Sequence, residues 1–226
     1  MIKAMILAAG KGERMGELTR DCPKPLLMVR DQSLIVYHLK KLAAIGVKDC
    51  VINVRYLGDR IQQALGDGHQ LGIHIHYSVE TEALETAGGI IQTLDFFEGK
   101  PFILMSADVL SDYPLEKLLK DGMGDRRIAL TKRLAHLVMV NNPAHHREGD
   151  FALNADGFLS LEGEKLNYAG IGIYHPELFE NYAPGYRKIS EVMKEAIIKQ
   201  QMTGEYYSGD WLNVDTPERL AQAQKV

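Results

Sequence analysis

The chain has 226 residues, of which 46% are hydrophobic and 25% are charged, and its formal net charge is -4. Such a chain can bury a sizeable core, and its acidic balance argues against a general nucleic-acid binder, which needs a basic face. Two cysteines, Cys22 and Cys50, are too few for a disulfide framework, and no apolar run reaches the ~20 residues of a membrane span. We therefore expect a cytoplasmic protein, monomeric or a small homo-oligomer, with no nucleic-acid or membrane partner.

The first half of the chain alternates strand-like and helix-like segments. The strand-like segments are "MIKAMILAA", "DCVINV", "IHIHYSVE" and "PFILMSAD". The helix-like segments between them are "SLIVYHLKKLAAIGV", with Ser33 as a plausible cap, "YLGDRIQQALGDG" and "TAGGIIQTLDFF". This alternation favours a parallel sheet with helices on both faces, in which ligands bind beyond the carboxyl ends of the strands. The loops "AAGKGERMG" and "SADVLSD" lie at such ends.

The second half has a different pattern, which is typical of an α+β arrangement. Strands are predicted for "HLVMVNN", "DFALNADGFLSL" with a turn at "NADG", "NYAGIGIYHP" and "YYSGDWLNV", and a helix for "KISEVMKEAIIKQQ". No linker-like segment separates the halves, so we expect one domain over residues 1–226 with the halves 1–110 and 111–226 sharing a sheet. The basic stretch 122–134 is interpreted as a solvated face.

The opening glycine-rich loop fails two common nucleotide-binding patterns. A Walker loop needs Ser or Thr after its Gly-Lys pair, whereas Lys11 is followed by Gly12. In a dinucleotide fingerprint the second glycine gap is shorter than the gap from Gly12 to Gly16. The second strand also runs into Arg55 rather than into an acidic residue. The loop is therefore weak evidence for either a P-loop NTPase or a dehydrogenase.

A third pattern fits better: "LAAGKGERM" followed by "PKPLL" resembles the signature of the sugar-1-phosphate nucleotidyltransferases. The resemblance implies a Rossmann-like, GT-A-like α/β fold and the joining of a nucleoside triphosphate to a sugar phosphate with Mg2+. It implies that Arg14 and Lys24 hold the triphosphate and that Asp108 binds magnesium, which makes these three the catalytic candidates. The nucleotide would lie on Ala8, Ala9, Gly10, Lys11, Gly12 and Glu13.

The residue types in this loop also suit a triphosphate on chemical grounds. Gly10 and Gly12 permit close approach of the backbone, and charge that accumulates at the α-phosphorus needs fixed cations nearby. Arg14 offers a fork of donors and Lys24 a point charge. Taken singly, each could be a tight turn or a solvated charge, and only their combination favours a phosphate site.

The stretch "EALETAGGI" resembles the family's base-contacting segment. The resemblance implies that Glu80, Thr86, Ala87 and Gly88 meet the edge of the base. A second interpretation is a helix N-terminus with Thr86 as its cap, and both can hold at once. The stretch does not choose between bases.

Three later segments, "HLVMVNNPAHHREGDF", "NYAGIGIYHPELF" and "SGDWLNVDTPERL", resemble the members of the family that act on UTP and N-acetylmuramate α-1-phosphate in cell-wall sugar recycling. The resemblance implies that Asp150 contacts the sugar, that Ser106 lies near the sugar phosphate, and that Gly170 lines the sugar pocket. Residues 1–110 would then bind the nucleotide and residues 111–226 the sugar. A guanylyl- or cytidylyltransferase for another sugar or alcohol phosphate remains the alternative.

The C-terminal motif departs from the family pattern. The family has W-x-D-V-G-T, with the aspartate as second metal ligand, whereas this chain has Asn213 at that place and Asp215 in place of glycine. We retain Asn213 and Asp215, with Asp108, as candidate magnesium ligands. The departure also leaves open a nucleotide-binding regulatory protein without turnover. The adjacent His145 and His146 are expected to be solvent-facing or structural.

Overall fold

The computed structural model describes residues 1–124 and 133–225, with the backbone alone for 121–124. Most of the basic stretch 122–134, and with it the interpretation of that stretch as a solvated face, therefore lies outside the described residues. Within the described ranges no helix is both long enough and apolar enough to cross a membrane.

Thirteen strands and six α-helices are described, together with short 3-10 helices. The strands are β1 (Lys3–Leu7), β2 (Met28–Val29), β3 (Gln32–Ser33), β4 (Asp49–Val54), β5 (His74–Val79), β6 (Phe102–Ser106), β7 (Val109–Ser111), β8 (Ala135–Val140), β9 (Phe151–Leu153), β10 (Leu159–Ser160), β11 (Lys165–Tyr174), β12 (Met202–Tyr206) and β13 (Trp211–Asn213). The α-helices are α1 (Leu34–Ala44), α2 (Gly58–Leu65), α3 (Glu85–Ile91), α4 (Leu115–Gly124), α5 (Ile189–Ile198) and α6 (Pro217–Ala223). The 3-10 helices include Glu13–Thr19 and Lys24–Leu26, which flank the opening loop.

One sheet of nine strands carries both halves of the chain. Strands β5, β4, β1 and β6 lie side by side and are parallel. The long strand β11 pairs antiparallel with β6, and β8 and then β12 continue the sheet beyond it. The predicted class, a Rossmann-like and mostly parallel α/β sheet, is therefore confirmed for this sheet, with the antiparallel strands coming from the second half.

Successive side chains along each strand of the sheet point to opposite faces, and each face packs into its own apolar core. In β1, Ala4 and Ile6 belong to the core that packs against α1, α2 and α4, and Met5 belongs to the core that packs against α3 and α5. The same alternation occurs in β6 between Ile103 and Leu104. Helices thus cover both faces, as the run of strand and helix patterns predicts.

A third, smaller core joins the opening loop to the C-terminus. Met15 and Leu27 from the segment after the opening loop pack with Leu34, Val214 and Ala223. This core brings the end of β13 and the start of α6 beside the opening loop, although the two are about two hundred residues apart in sequence. The C-terminal motif therefore belongs to the same end of the sheet as the glycine-rich loop.

Two local predictions are wrong. The segment 206–214, predicted as one strand, holds only the last residue of β12 and the whole of β13, and these two strands belong to different sheets. Thr86 does not cap α3, because the helix begins at Glu85 and Leu84 occupies the cap position without a side-chain hydrogen bond. By contrast, the predicted turn at Asn154 is confirmed, since the Asn154 side chain accepts hydrogen bonds from the N–H groups of Asp156 and Phe158.

The start of α3 is covered by a segment from the second half. The N–H groups of Ala87 and Gly88 both donate to the carbonyl of Arg187, at 3.1 and 3.3 Å. A Cβ atom on Gly88 would lie 2.2 Å from the carbonyl oxygen of Gly185, so only glycine permits this approach. Gly88 is thus a packing contact between the two halves of the chain.

We predict that Gly88→Ala destabilises the protein by about 1–3 kcal/mol, the usual cost of overpacking a well-filled contact. The matched control is Gly10→Ala, since a Cβ on Gly10 meets no heavy atom within 4 Å. Denaturant unfolding of both variants measures the difference. Equal unfolding free energies for the wild type and Gly88→Ala would show that the 183–188 segment moves away at no cost.

Candidate active site

A cleft of about 570 Å3 opens at the carboxyl ends of β1, β4 and β6. Most of the residues that the sequence singles out line it: Ala8, Ala9, Gly10, Lys11, Gly12, Glu13, Arg14, Lys24, Glu80, Thr86, Ser106, Asp108 and Asp215. The topology explains this convergence, because parallel strands deliver their following loops to the same edge of the sheet.

The opening loop is held in shape by its own backbone and by Lys24. Gly12 adopts a left-handed φ of 68°, and a Cβ atom there would come within 3.2 Å of both Lys24 Cβ and Thr19 Cγ2. Thr19 Oγ1 donates to the carbonyl of Gly12 at 3.0 Å. Glycine at position 12 therefore lets the loop turn tightly against the Lys-Pro segment.

A short chain of buried hydrogen bonds connects the loop to β4 and β5. The N–H of Ala8 donates to Asn53 Oδ1 at 2.9 Å, and Asn53 Nδ2 donates to Glu80 Oε1 at 2.7 Å. Burial raises the pKa of the Glu80 carboxyl, and the hydrogen bond from Asn53 opposes this effect. The sequence reasoning missed Asn53, for which the available signal was a single amide in the otherwise apolar strand "DCVINV".

Lys24 and Asp108 form an ion pair at the floor of the cleft. Lys24 Nζ lies 2.5 Å from Asp108 Oδ2, and both side chains are more than two-thirds buried. Asp108 lies in the turn between β6 and β7, and its carbonyl accepts a hydrogen bond from the N–H of Val214 at 2.7 Å. The pair therefore joins the loops after β1 and β6 to the C-terminal motif.

Asp215 has different partners from those expected of a metal ligand. Its carboxylate is only 1% exposed, and its Oδ2 lies 2.6 Å from Nη1 of Arg14. Its other oxygen is ion-paired with Arg219, in the first turn of α6. The Arg14 side chain is 67% exposed and lines the cleft, so its guanidinium is held at Nη1 by Asp215 while the rest of the group stays accessible. Two arginines are thus ion-paired with the carboxylate of Asp215, although its Oδ2 makes no hydrogen bond among the described residues.

Asn213 offers a different kind of oxygen. Its Oδ1 atom is buried and has no hydrogen-bond partner among the described residues. Asn213 pairs with Val109 across β13 and β7, so it is adjacent to the Asp108 turn. Asn213 does not itself line the cleft. An amide oxygen and a carboxylate are both ligands that suit a hard cation such as Mg2+, which prefers oxygen. The donor set of Asp108 and Asn213 therefore fits the expected metal.

The predicted sugar residues lie at the border of the cleft. Gly170 has φ of 73° at an irregularity of β11, and a Cβ atom there would lie 2.9 Å from Oγ of Ser106. Ser106 lines the cleft and Gly170 lies against it. Asp150 is outside the cleft lining, and it accepts hydrogen bonds from the N–H of Tyr168 at 2.7 Å and from His146 Nε2 at 3.2 Å. Its contact with a sugar stays a prediction.

The segment predicted to contact the base lines the cleft only in part. Ala87 and Gly88 do not line the cleft, and their N–H groups are occupied by the carbonyl of Arg187. Thr86 does line it, as do Leu84 and Arg55, which the sequence reasoning did not include. The expectation that the backbone of Ala87 and Gly88 meets a base therefore does not match this conformation.

The exposed His145 lies on a loop of the second half, outside the residues that line the cleft. Partial desolvation lowers the pKa of His145, and the charges of Arg219 and Arg14 lower it further while Asp215 opposes them. The loop is held by Asn142, whose Nδ2 donates to the carbonyls of Arg147 and Lys165 at 3.1 and 2.8 Å. Of the second half, the described lining of the cleft includes Asp215.

Comparisons with known proteins agree with this geometry. Residues 3–135 match the family model described as nucleotidyl transferase. A Neisseria meningitidis protein named N-acetylmuramate alpha-1-phosphate uridylyltransferase is 41% identical over 231 residues, covering 100% of this chain and 98% of that protein. A mannose-1-phosphate guanyltransferase of Gibberella zeae is 29% identical over 96% of this chain, which spans only 62% of that relative.

Solved structures share the fold at low sequence identity. A Bacillus anthracis protein crystallised with a sucrose has a TM-score of 0.83 and 21% identity, with 100% of this chain and 94% of that chain covered. HddC from Yersinia pseudotuberculosis has a TM-score of 0.79 and 18% identity, with 100% and 99% covered. At these identities the likeness concerns the fold alone.

We predict that Glu80→Gln is as stable as the wild type, or more stable, at pH 8. The variant keeps an oxygen acceptor for Asn53 but removes a buried charge. Because the folded-state pKa of Glu80 is raised above its usual value of 4.5, the ionised group costs stability above that pH, and the advantage of glutamine should vanish below it. Denaturant unfolding of the wild type and of Glu80→Gln at pH 8 and at pH 4 measures the difference in stability at each pH.

The control for this prediction is Glu80→Ala, which leaves the amide of Asn53 without its acceptor. A loss of about 1–3 kcal/mol is expected at both pH values, because an unpaired buried polar group is costly. If Glu80→Gln were as destabilising as Glu80→Ala, the carboxylate charge itself would be needed for folding.

Proposed function

The chain belongs to the nucleotidyl transferase family, and from this membership we propose that it transfers UMP from UTP to N-acetylmuramate 1-phosphate and releases pyrophosphate. The observation that carries the proposal is the meeting of Lys24, Asp108 and Arg14 around the glycine-rich loop in one cleft. The choice of UTP and of this sugar rests on the relative that is 41% identical over the whole chain. The product would serve cell-wall sugar recycling.

The reaction needs no covalent enzyme intermediate. An oxygen of the sugar phosphate forms a bond to the α-phosphorus of UTP, and the bond from that phosphorus to the bridging oxygen of pyrophosphate breaks. The protein's contribution is positioning and electrostatic stabilisation, as in other phosphoryl-type transfers. The backbone of residues 8–12 approaches the phosphates, and Lys24 and Arg14 place fixed positive charge where negative charge accumulates.

Asp108 and Asn213 would hold the magnesium ion. When bound, the ion supplies positive charge to the phosphate oxygens and helps to orient them. The free Oδ1 of Asn213 supports this assignment. With one carboxylate instead of two, the site carries less negative charge, so its affinity for Mg2+ should be lower than that of a pair of aspartates.

Asp215 has a different part in this scheme. Its two oxygens are ion-paired with Arg14 and Arg219, and two guanidinium groups offset the charge of this buried carboxylate. We assign it the task of holding Arg14 in the direction of the triphosphate. Holding the long arginine side chain before the substrate arrives reduces the entropy lost when it binds.

The test of the proposed function is pyrophosphate release with a panel of substrates and Mg2+. UTP with N-acetylmuramate 1-phosphate should give the highest kcat/KM, above UTP with N-acetylglucosamine 1-phosphate and above GTP with mannose 1-phosphate. Faster turnover with the guanine nucleotide would favour a guanylyltransferase. Binding of UTP by calorimetry without turnover of any pair would favour a regulatory protein.

The same assay tests whether Lys24 in the cleft contributes to turnover, with a lysine outside the cleft as the control. Lys24→Ala should lower kcat/KM by about 100-fold or more, as loss of one preorganised charge typically does. Lys100→Ala removes an exposed charge near the amino end of β6, far from the cleft, and should leave the rate unchanged.

We predict that substitutions of Asn213 and of Asp215 have different effects when turnover is measured at increasing Mg2+ concentrations. Asn213→Ala should raise the Mg2+ concentration needed for half-maximal rate, and Asn213→Asp should lower it, because a carboxylate is the stronger ligand for this ion. Asp215→Asn should leave that concentration unchanged and should raise KM for UTP, since it releases Arg14.

A double-mutant cycle distinguishes positioning from a merely structural role. If Asp215 acts through Arg14, then Asp215→Asn should add little to the effect of Arg14→Ala on KM for UTP. Fully additive effects, or a shift of the magnesium titration by Asp215→Asn, would contradict the assignment and return Asp215 to the list of metal ligands.

A further inference from the structure

Three side chains with metal-binding chemistry meet at the amino-terminal end of the sheet, opposite the cleft. Asp49 is the first residue of β4, and His74 and His76 lie on the first half of β5. Strand β5 is the edge strand of the parallel part of the sheet. None of the three residues lines the cleft.

Strand register explains why these side chains meet. Asp49 is paired directly with His74 across the parallel β4–β5 ladder. His76 follows two residues later, and residues two apart on a strand point to the same face. One ligand atom from each of the three lies within 4.8 Å of the other two, and Asp49 Oδ1 is 3.7 Å from His76 Nε2.

The three side chains are accessible and are not committed to other polar partners. Asp49 is partly exposed, and His74 and His76 are exposed. In the described part of the chain none of their side-chain atoms makes a hydrogen bond, since the 3.7 Å separation is too long for one. The ring of His76 packs on Phe96 with centroids 4.8 Å apart, which restrains its orientation.

We propose that Asp49, His74 and His76 form a site for a divalent transition metal such as Zn2+. Two imidazoles and one carboxylate are the ligand set that borderline metals prefer, whereas Mg2+ prefers oxygen ligands alone. Zinc ligands lie about 2.0–2.1 Å from the ion, which places them about 3.3 Å apart in a tetrahedron. Small rotamer changes of these exposed side chains close the present separations to that value, and water completes the shell.

A metal at this site would join the edge strand to its neighbour. Because the ion would bind the folded pairing of β4 and β5 and not the separated strands, binding stabilises the native state. An ion here would also hold in place an edge that would otherwise present unpaired backbone groups to other chains. The site involves none of the residues of the proposed reaction, so it stands whether or not that function is correct.

Calorimetric titration of the tag-free full chain with Zn2+, in excess Mg2+ to occupy the oxygen ligands of the cleft, tests the site. The wild type should bind one zinc ion that the double variant His74→Ala, His76→Ala does not bind. Asp49→Asn should weaken binding by about 10-fold or more, because even groups outside the first ligand shell cost that much. Zinc should raise the Tm of the wild type and not that of the double variant.

The control is His69→Ala, which removes another exposed histidine from the same region of sequence. It should bind Zn2+ as the wild type does. Electron paramagnetic resonance of bound Cu2+ gives an independent readout, with hyperfine coupling to two imidazole nitrogens in the wild type and in His69→Ala. Failure of the wild type to bind zinc in excess Mg2+, or undiminished zinc binding by the double variant, would overturn the proposal.

Discussion

The geometry of the cleft depends on the ion pairs that the buried carboxylate of Asp215 makes with two arginines. This carboxylate joins Arg14, which follows the first strand, to Arg219 in the last helix, and so connects the two ends of the chain. A buried charge is tolerated only when it is paired, and removing one partner leaves a costly unpaired charge. The apolar core around Met15 and Val214 brings the two segments together. The ion pairs then select one orientation of the arginine in the cleft.

Several of the polar groups that enter this apolar sheet are paired with one another. Asn53 interrupts an apolar strand to hold both the opening loop and Glu80, and Lys24 is ion-paired with Asp108 in the cleft. Buried polar atoms without a hydrogen-bond partner among the described residues include Oδ1 of Asn213 and Oδ2 of Asp215. An unpaired buried polar atom is costly, and these two belong to the C-terminal motif, whose backbone is bonded to the turn of Asp108.

The two halves of the chain depend on each other at three levels. They share a sheet through β6 and β11, they meet at Gly88 and Gly185, and both line the cleft, the second half through Asp215. The contact at Gly88 also bears on the segment predicted to contact the base. The N–H groups of Ala87 and Gly88 donate to the carbonyl of Arg187 instead of facing the cleft. In this part of the cleft the lining is formed instead by Glu80, Thr86 and the residues just before α3.

The sequence alone determined the strands β1, β4, β5 and β6, the helices between them and the loop that carries Gly12, because these follow from local hydrophobic periodicity and turn chemistry. The same pattern placed the loops of Arg14 and Asp108 at one edge, since loops after parallel strands share it, while Lys24 was added by the resemblance to a known family. The tertiary structure alone decided the partners of Asp215, the bond between Asn53 and Glu80, and the split between β12 and β13. These depend on contacts between residues far apart in sequence, and no local pattern encodes which distant side chain will occupy a given carboxylate.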